Sequence, residues 1–204
     1  MVGVLDVDTP HGPARVHLHA VDEPAGALVL GHGAGGGVAA RDLVAATKAA
    51  QARGVSVALV EQPYRVAGRR SPAPAGQLDA AWVAVVEHLR GGALGDLSLV
   101  VGGRSSGARV ACRTAAQTGA AGVLCLAFPV HPPGRPEKTR LPELDAVAVP
   151  TLVVQGAGDP FGMPPAGARR EVVTVPGNHS LTGDLETLRA AVGRFLGEVL
   201  GLAH

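Results

Sequence analysis

Aromatic side chains are nearly missing from this chain: one Trp, one Tyr and three Phe, 2% of the residues. Its core must therefore rest on Val, Leu and Ala. Cysteine is scarce too. The only two, Cys112 and Cys125, fall on a predicted helix and a predicted strand, a pattern that supports neither a disulfide framework nor a metal site. Buried free thiols are expected, consistent with a reducing cytoplasm. An excess of one charge is also lacking. Lys and Arg number 18 against 17 Asp and Glu, for a net charge of +1. The charges are interspersed, so neither the basic face of a nucleic-acid binder nor a like-charge tail is indicated. No apolar run is long enough to span a bilayer; the longest, around Val123 to Phe128, has the length of a strand. The first ten residues carry acids and no apolar h-region, so no secretory signal is expected.

What is present is substantial. The 204 residues are 47% hydrophobic, which argues against disorder and for one domain over residues 1–204 with a real core. Gly3 to Val7 and Ala14 to Ala20 alternate apolar and polar around Pro10-His11-Gly12-Pro13, the signature of a hairpin. The pattern then changes to short continuous apolar runs: Ala27 to Leu30, Val55 to Val60, Leu97 to Val101, Val123 to Ala127, Thr151 to Val154 and Glu171 to Val175. Such runs suit strands covered on both faces. Helical stretches lie between them at Val38 to Arg53, Gln77 to Arg90, Ala108 to Gln117 and Leu181 to Leu200. The alternation predicts an α/β fold with a mostly parallel sheet and right-handed crossovers. Two stretches break the rhythm, Pro63 to Gly76 and Pro129 to Pro142, both rich in Pro and basic residues. Each follows a strand, which places it at the carboxyl edge of the sheet, where open α/β sheets bind ligands.

The strongest chemical signal is Gly103-Arg104-Ser105-Ser106-Gly107, a G-x-S-x-G between a predicted strand and a predicted helix. A sharp turn that lifts a serine hydroxyl above the sheet leaves no room for side chains two positions away on either side. Gly103 and Gly107 meet that demand for Ser105, whereas Ser106 is flanked by Arg104 and Ala108. An ordinary helix cap by Ser105 or Ser106 is the alternative reading of the same residues. A serine hydroxyl is a weak nucleophile and needs a base oriented by a third group. Asp159 follows the strand Thr151 to Val154 after a glycine turn, and His179 follows the next strand, so the order serine, acid, histidine expected of an α/β hydrolase is met. Asp145 and Asp184 lack that placement, and His17, His19 and His88 read as surface residues.

Gly31-His32-Gly33-Ala34-Gly35-Gly36-Gly37 follows the strand Ala27 to Leu30. In the hydrolase reading it supplies one oxyanion-hole N–H, from Ala34 or Gly33, and Ser106 supplies the other. Gly31, Gly33 and Gly36 also spell G-x-G-x-x-G, with Glu61 where a ribose-binding acid would sit, so a dinucleotide-binding protein is an alternative. The preceding hairpin, the bulky His32 inside the turn and the unexplained Ser105, Asp159 and His179 count against it. Arg69, Arg70 and Arg104 are candidates for gripping an anionic substrate, and His131 for lining the site.

Taken together, Gly31 to Gly36, Gly102 to Arg109, the run His131-Pro132-Pro133-Gly134-Arg135-Pro136-Glu137-Lys138, Gly156 to Gly162 and His179-Ser180 resemble a small α/β-hydrolase family. That family includes bacterial dienelactone-hydrolase-like proteins, testis-expressed hydrolase-like proteins and the hydrolase-like domain of a chromatin-complex subunit. The matching segments cover nearly the whole chain, and the His131 to Lys138 run is the most specific. The resemblance implies an eight-stranded hydrolase core without a large cap, and it carries the catalytic roles onto Ser105, Asp159 and His179. The family usually has a larger apolar residue at position 106 and glycine at position 108. Some members serve as scaffolds, so a non-catalytic binding scaffold is the rival from another class. Dienelactone hydrolases proper use a cysteine nucleophile, where this chain has serine. The expected activity is acyl transfer from small carboxylic esters or thioesters, with no cofactor, metal, nucleic-acid or membrane partner.

Overall fold

The two alternating segments pair as an antiparallel ribbon. In the computed structural model, which describes residues 2–202, β1 (Val2–Val7) and β2 (Ala14–His19) run antiparallel with Val7 opposite Ala14. The continuous apolar runs become β3 (Gly26–Gly31), β4 (Val55–Glu61), β5 (Leu99–Arg104), β6 (Gly122–Leu126), β7 (Thr151–Gly156) and β8 (Arg170–Val175). These six are parallel to one another, and β2 joins them antiparallel to β4. The sheet has eight strands in the order β1-β2-β4-β3-β5-β6-β7-β8. The helices are α1 (Arg41–Gln51), α2 (Pro63–Val66), α3 (Ala75–Arg90), α4 (Ser106–Thr118), α5 (Leu141–Asp145) and α6 (Leu185–Leu200). Among the described residues no helix is long and apolar enough to cross a membrane.

Side chains alternate across a strand, so each central strand feeds two cores. Val29, Val101, Val123 and Val153 point to the side where Trp82, Val85 and Leu89 of α3 and Val110 and Ala111 of α4 pack. Leu28, Leu30, Val100, Leu124 and Leu152 point to the other side, against Leu43 and Ala46 of α1 and Leu188, Val192 and Phe195 of α6. Every residue of β3, β6 and β7 is buried, as two-sided coverage requires. The last strand departs from the expectation. β8 has a sheet neighbour on one side only, and of its six residues just Val175 is buried.

Element boundaries moved for local reasons. β5 runs on to Arg104, so Gly102 and Gly103 are strand residues; a Cβ on Gly102 would overlap the Leu124 carbonyl of β6. α6 starts at Leu185 because the Asp184 carboxylate accepts the backbone N–H groups of Glu186 and Thr187, at 3.1 and 2.9 Å. The first Pro-rich stretch holds a short helix, α2, and the second leads into another, α5, each with proline in its first turn. Because β5, β6, β7 and β8 are parallel, their carboxyl ends open onto one edge of the sheet.

Candidate active site

Ser105 sits in the turn between β5 and α4 with φ +52° and ψ −107°, a conformation that non-glycine residues rarely adopt. The turn is closed by the Ser105 N–H, which donates to the Leu126 carbonyl at 2.9 Å. Crowding there is measurable. A Cβ on Gly103 would lie 2.6 Å from the Gly31 carbonyl oxygen and 2.7 Å from the Gly107 carbonyl carbon, and one on Gly107 would overlap the Gly31 carbonyl. Ser105 occupies the position of a helix cap, yet its hydroxyl caps nothing. It lies 2.9 Å from His179 Nε2 instead.

His179 Nδ1 is 2.8 Å from Asp159 Oδ2. The Asp159 carboxylate is almost wholly buried. It also accepts the Gln155 side-chain amide at 2.9 Å and the Phe161 N–H at 2.9 Å. Gln155 is fully buried and its Nε2 also reaches the carbonyls of Phe128 and Gly162, at 3.1 and 2.8 Å, so it ties the acid to two neighbouring loops. The Phe161 ring stacks on the His179 imidazole, with centroids 4.2 Å apart. The acid and histidine loops are laced by backbone: Ala157 N–H to Val175 O at 2.9 Å and Gly158 N–H to Gly177 O at 2.8 Å. A Cβ on Gly156 would strike the Asn178 carbonyl, which explains the glycine before the acid.

The Gly31 to Gly37 loop lies against the turn that carries Ser105. His32 is buried, and its Nε2 accepts the Gln62 N–H at 3.1 Å, so the proton sits on Nδ1, which donates to Gly33 O at 2.8 Å. Burial pushes the His32 pKa below its usual value. The Tyr64 hydroxyl donates to Ala34 O at 2.9 Å. With both carbonyls held from behind, Ala34 and Gly35 line the same cleft as Ser105, Ser106 and His179. This cleft has a volume of about 370 Å3 and is also lined by Pro72, Arg104, Arg109, Pro129, Arg140 and Phe161. A larger groove, about 610 Å3, lies between the end of α4 and the segment after α5, away from Ser105 and His179.

The family described as alpha/beta hydrolase domain matches residues 24–182. The chain belongs to it. No curated protein sequence matches this one. Among solved structures, the chain is similar to XC6422 of Xanthomonas campestris, described as an α/β serine hydrolase without lid. The identity is 21%, the coverage 100% of this chain and 96% of that one, and the TM-score 0.79. It is also similar to a dienelactone hydrolase of Anabaena variabilis, at 16% identity, 97% coverage of both chains and a TM-score of 0.75. A third is the esterase Pf2001 of Pyrococcus furiosus, at 14% identity, 97% and 90% coverage and a TM-score of 0.77. At such identities the likeness is one of fold.

Within this alpha/beta hydrolase the residues singled out from sequence separate into groups. Ser105, Asp159 and His179 come together in one hydrogen-bonded chain. Ala34 and Ser106 line the cleft, and Gly33 packs behind it: a Cβ there would meet Arg104 Nη1 at 2.8 Å and Ser105 Cβ at 3.7 Å. Arg104 lines the cleft, but its guanidinium is engaged, with Nε 2.8 Å from the buried Asp42 carboxylate and Nη2 donating to the His179 carbonyl at 3.0 Å. Arg69 lines a separate cavity of about 100 Å3 with His11 and Gln77, and Arg70 is exposed outside the cleft. His131 turns its Nδ1 to the Pro132 carbonyl at 2.8 Å and packs its Nε2 edge against Gly162. It therefore supports the acid loop and does not line the cleft. Arg109 and Arg140 line the cleft and went unnoticed in the sequence.

The dinucleotide fingerprint does not form the site it spells. Residues 37–40 separate Gly36 from α1, so no helix N-terminus meets the glycine loop, and Glu61 is paired with His17 at 2.9 Å. Asp184 caps α6, and the exposed Asp145 pairs with Arg170. The hydrolase keeps Cys112 and Cys125 buried and unbonded, Sγ to Sγ 3.5 Å, and that contact together with burial pushes the Cys125 thiol well above its usual pKa. Among the described residues no three His, Cys, Asp or Glu side chains gather as metal ligands.

Proposed function

We propose that this alpha/beta hydrolase is a serine esterase or thioesterase acting on small acyl substrates, with the whole chain, 1–204, working as one uncapped unit in a reducing cytoplasm. The observation that carries the reading is the chain Asp159–His179–Ser105, with contacts of 2.8 and 2.9 Å at the mouth of a cleft. Solved structures of the same fold that are described as a serine hydrolase without lid and as an esterase support it.

In the mechanism, Ser105 Oγ attacks the substrate carbonyl while its proton passes to His179 Nε2. Asp159, fixed by Gln155 and the Phe161 N–H, holds the Nδ1–H tautomer and stabilises the imidazolium. The negative charge that develops on the carbonyl oxygen is met by the N–H of Ser106 and that of Ala34 or Gly33. The oxyanion also lies at the positive end of α4, a helix of 13 residues. His179 returns the proton to the leaving group. Water then enters, loses a proton to His179 as it attacks the acyl carbonyl, and the acid leaves as Ser105 Oγ takes that proton back from His179.

The test is labelling by a fluorophosphonate probe followed by peptide mapping, with turnover of a short-chain aryl ester measured in parallel. The adduct is expected on Ser105, and Ser105→Ala is expected to lose activity by several orders of magnitude with the fold intact. An inactive Ser106→Ala beside an active Ser105→Ala would overturn the assignment. A folded protein that neither labels nor turns over would leave the scaffold reading.

A further inference from the structure

We propose that Arg140 is the specificity residue of the Ser105 cleft and that it takes a carboxylate carried by the ester substrate. The inference rests on the serine-hydrolase reading of that cleft and adds a substrate class to it. Three arginines, Arg104, Arg109 and Arg140, line the cleft, and no Asp or Glu does. Two of the three already have partners. Arg104 is held by Asp42 and the His179 carbonyl. Arg109 makes a two-pronged pair with Glu143, at 2.8 and 2.5 Å. Glu143 in turn contacts Arg113 at 3.3 Å, and Arg113 makes its own two-pronged pair with Asp79, at 2.8 and 2.6 Å. Asp79, Arg113, Glu143 and Arg109 thus form a chain of two acids and two bases that balances itself.

Arg140 stands outside this balance. Its backbone N–H donates to the Val130 carbonyl at 2.7 Å, which fixes the residue at the end of the Pro129 to Pro142 stretch, just before α5. Among the described residues its guanidinium has no hydrogen-bond or ion-pair partner, although the side chain is half-buried. Burial first, and then the neighbouring charge of Arg109, hold its pKa below the ordinary arginine value, with Glu143 offsetting this in part. An arginine stays protonated under such a shift. It is a partly buried cation on the wall of the cleft with no acid in direct contact, so an anion in the cleft can pair with it. One unpaired guanidinium offers a planar fork that suits a single carboxylate. A phosphate dianion would call for a second free cation, and Arg104 and Arg109 are not free. At about 370 Å3 the cleft is near the lower limit for small-molecule sites, which suits a short half-ester.

The experiment compares a neutral aryl ester with its matched dicarboxylate half-ester, the carboxylate placed in the acyl part in one series and in the leaving group in another. Parent, Arg140→Ala and Arg140→Lys are assayed. The ratio of kcat/KM for the half-ester to that for the neutral ester is expected to fall at least tenfold in Arg140→Ala, mainly through KM, with partial recovery in Arg140→Lys. The series that falls further shows which side of the ester faces Arg140. A ratio unchanged in both series, or an equal loss on neutral and anionic esters, overturns the proposal. Recognition is also read without turnover, by titrating the half-esters into Ser105→Ala with and without Arg140→Ala. Saturable binding that weakens tenfold without Arg140 upholds the anion site even where Ser105 of the parent proves unreactive. Binding indifferent to Arg140 refutes it.

Discussion

Arg104 shows how one side chain next to the candidate nucleophile can organise the site through its contacts with the protein. Its guanidinium joins a buried acid, Asp42 on α1, to the carbonyl of His179, and its Nη1 packs against Gly33 of the Gly31 to Gly37 loop. It therefore positions three parts of the site at once. Asp42 is nearly inaccessible, and burial raises its pKa, with the charge of Arg104 acting in the opposite direction. Arg104→Ala leaves that carboxylate buried and unpaired, and breaking such a pair costs about 3–5 kcal/mol. The pH dependence follows from the direction of the shift. A carboxyl whose folded pKa exceeds its unfolded value binds protons more readily when folded, so it destabilises the fold progressively as pH rises from the unfolded pKa to the folded one, fully above that, and is relieved as pH falls. Without Arg104 the folded pKa rises further. The stability deficit of Arg104→Ala, measured by chemical denaturation, should therefore be largest at neutral pH and shrink in acid, and Asp42→Asn added to it should recover part of the loss. A deficit independent of pH and untouched by Asp42→Asn would mean that the pair does not govern this region.

At the scale of elements, the turn between β5 and α4 is where sequence and structure speak most alike. The demand for glycine at positions 103 and 107 follows from the geometry of any such turn, and the structure supplies the colliding atoms. The Gly31 to Gly37 loop was less legible, because a run of glycines does not say which ones are needed. Gly31 and Gly33 face close neighbours, whereas a Cβ on Gly35 or Gly37 would meet nothing within 4 Å. Gly107→Ala should accordingly push the start of α4 away from β3, lower stability by about 1–3 kcal/mol as over-packing does, and lose fluorophosphonate labelling. Gly37→Ala is the control and should keep both. Equal behaviour of the two would refute the steric account.

The succession of strands along the chain and the meeting of Ser105, Asp159 and His179 at strand ends were legible because apolar runs and strand-end placement are local patterns. The short helices α2 and α5 were not, since four or five residues with proline in the first turn carry no helical period. Nor could the arginines be sorted. Arg69, Arg70, Arg109 and Arg140 differ in whether a carboxylate lies across from them, and Glu143 is 34 residues from Arg109 in the chain. Gln155 was hidden for the same reason: it is the last but one residue of an apolar strand, and only the fold reveals the three acceptors around its amide.

At the scale of the whole molecule, the scarcity of aromatics leaves two aliphatic layers sharing one sheet. Trp82, the lone tryptophan, is fully buried in the layer under α3 and α4. Leu124 of β6 is fully buried in the opposite layer, beneath α1 and α6. The same strand carries Val123 and Cys125 into the Trp82 layer, so a cavity on one side is felt through a backbone common to both. Leu124→Ala should cost about 2–5 kcal/mol, as deletions of buried leucine do. The loss should appear equally in Trp82 fluorescence and in far-UV circular dichroism, because neither layer keeps its strands without the other. Coincident denaturation curves in parent and variant are the expected outcome. Were the Trp82 signal to hold its midpoint while the dichroism shifted, the layers would unfold separately. The turn at Ser105, whose N–H donates to the Leu126 carbonyl at the end of this same strand, would then depend on only one of them.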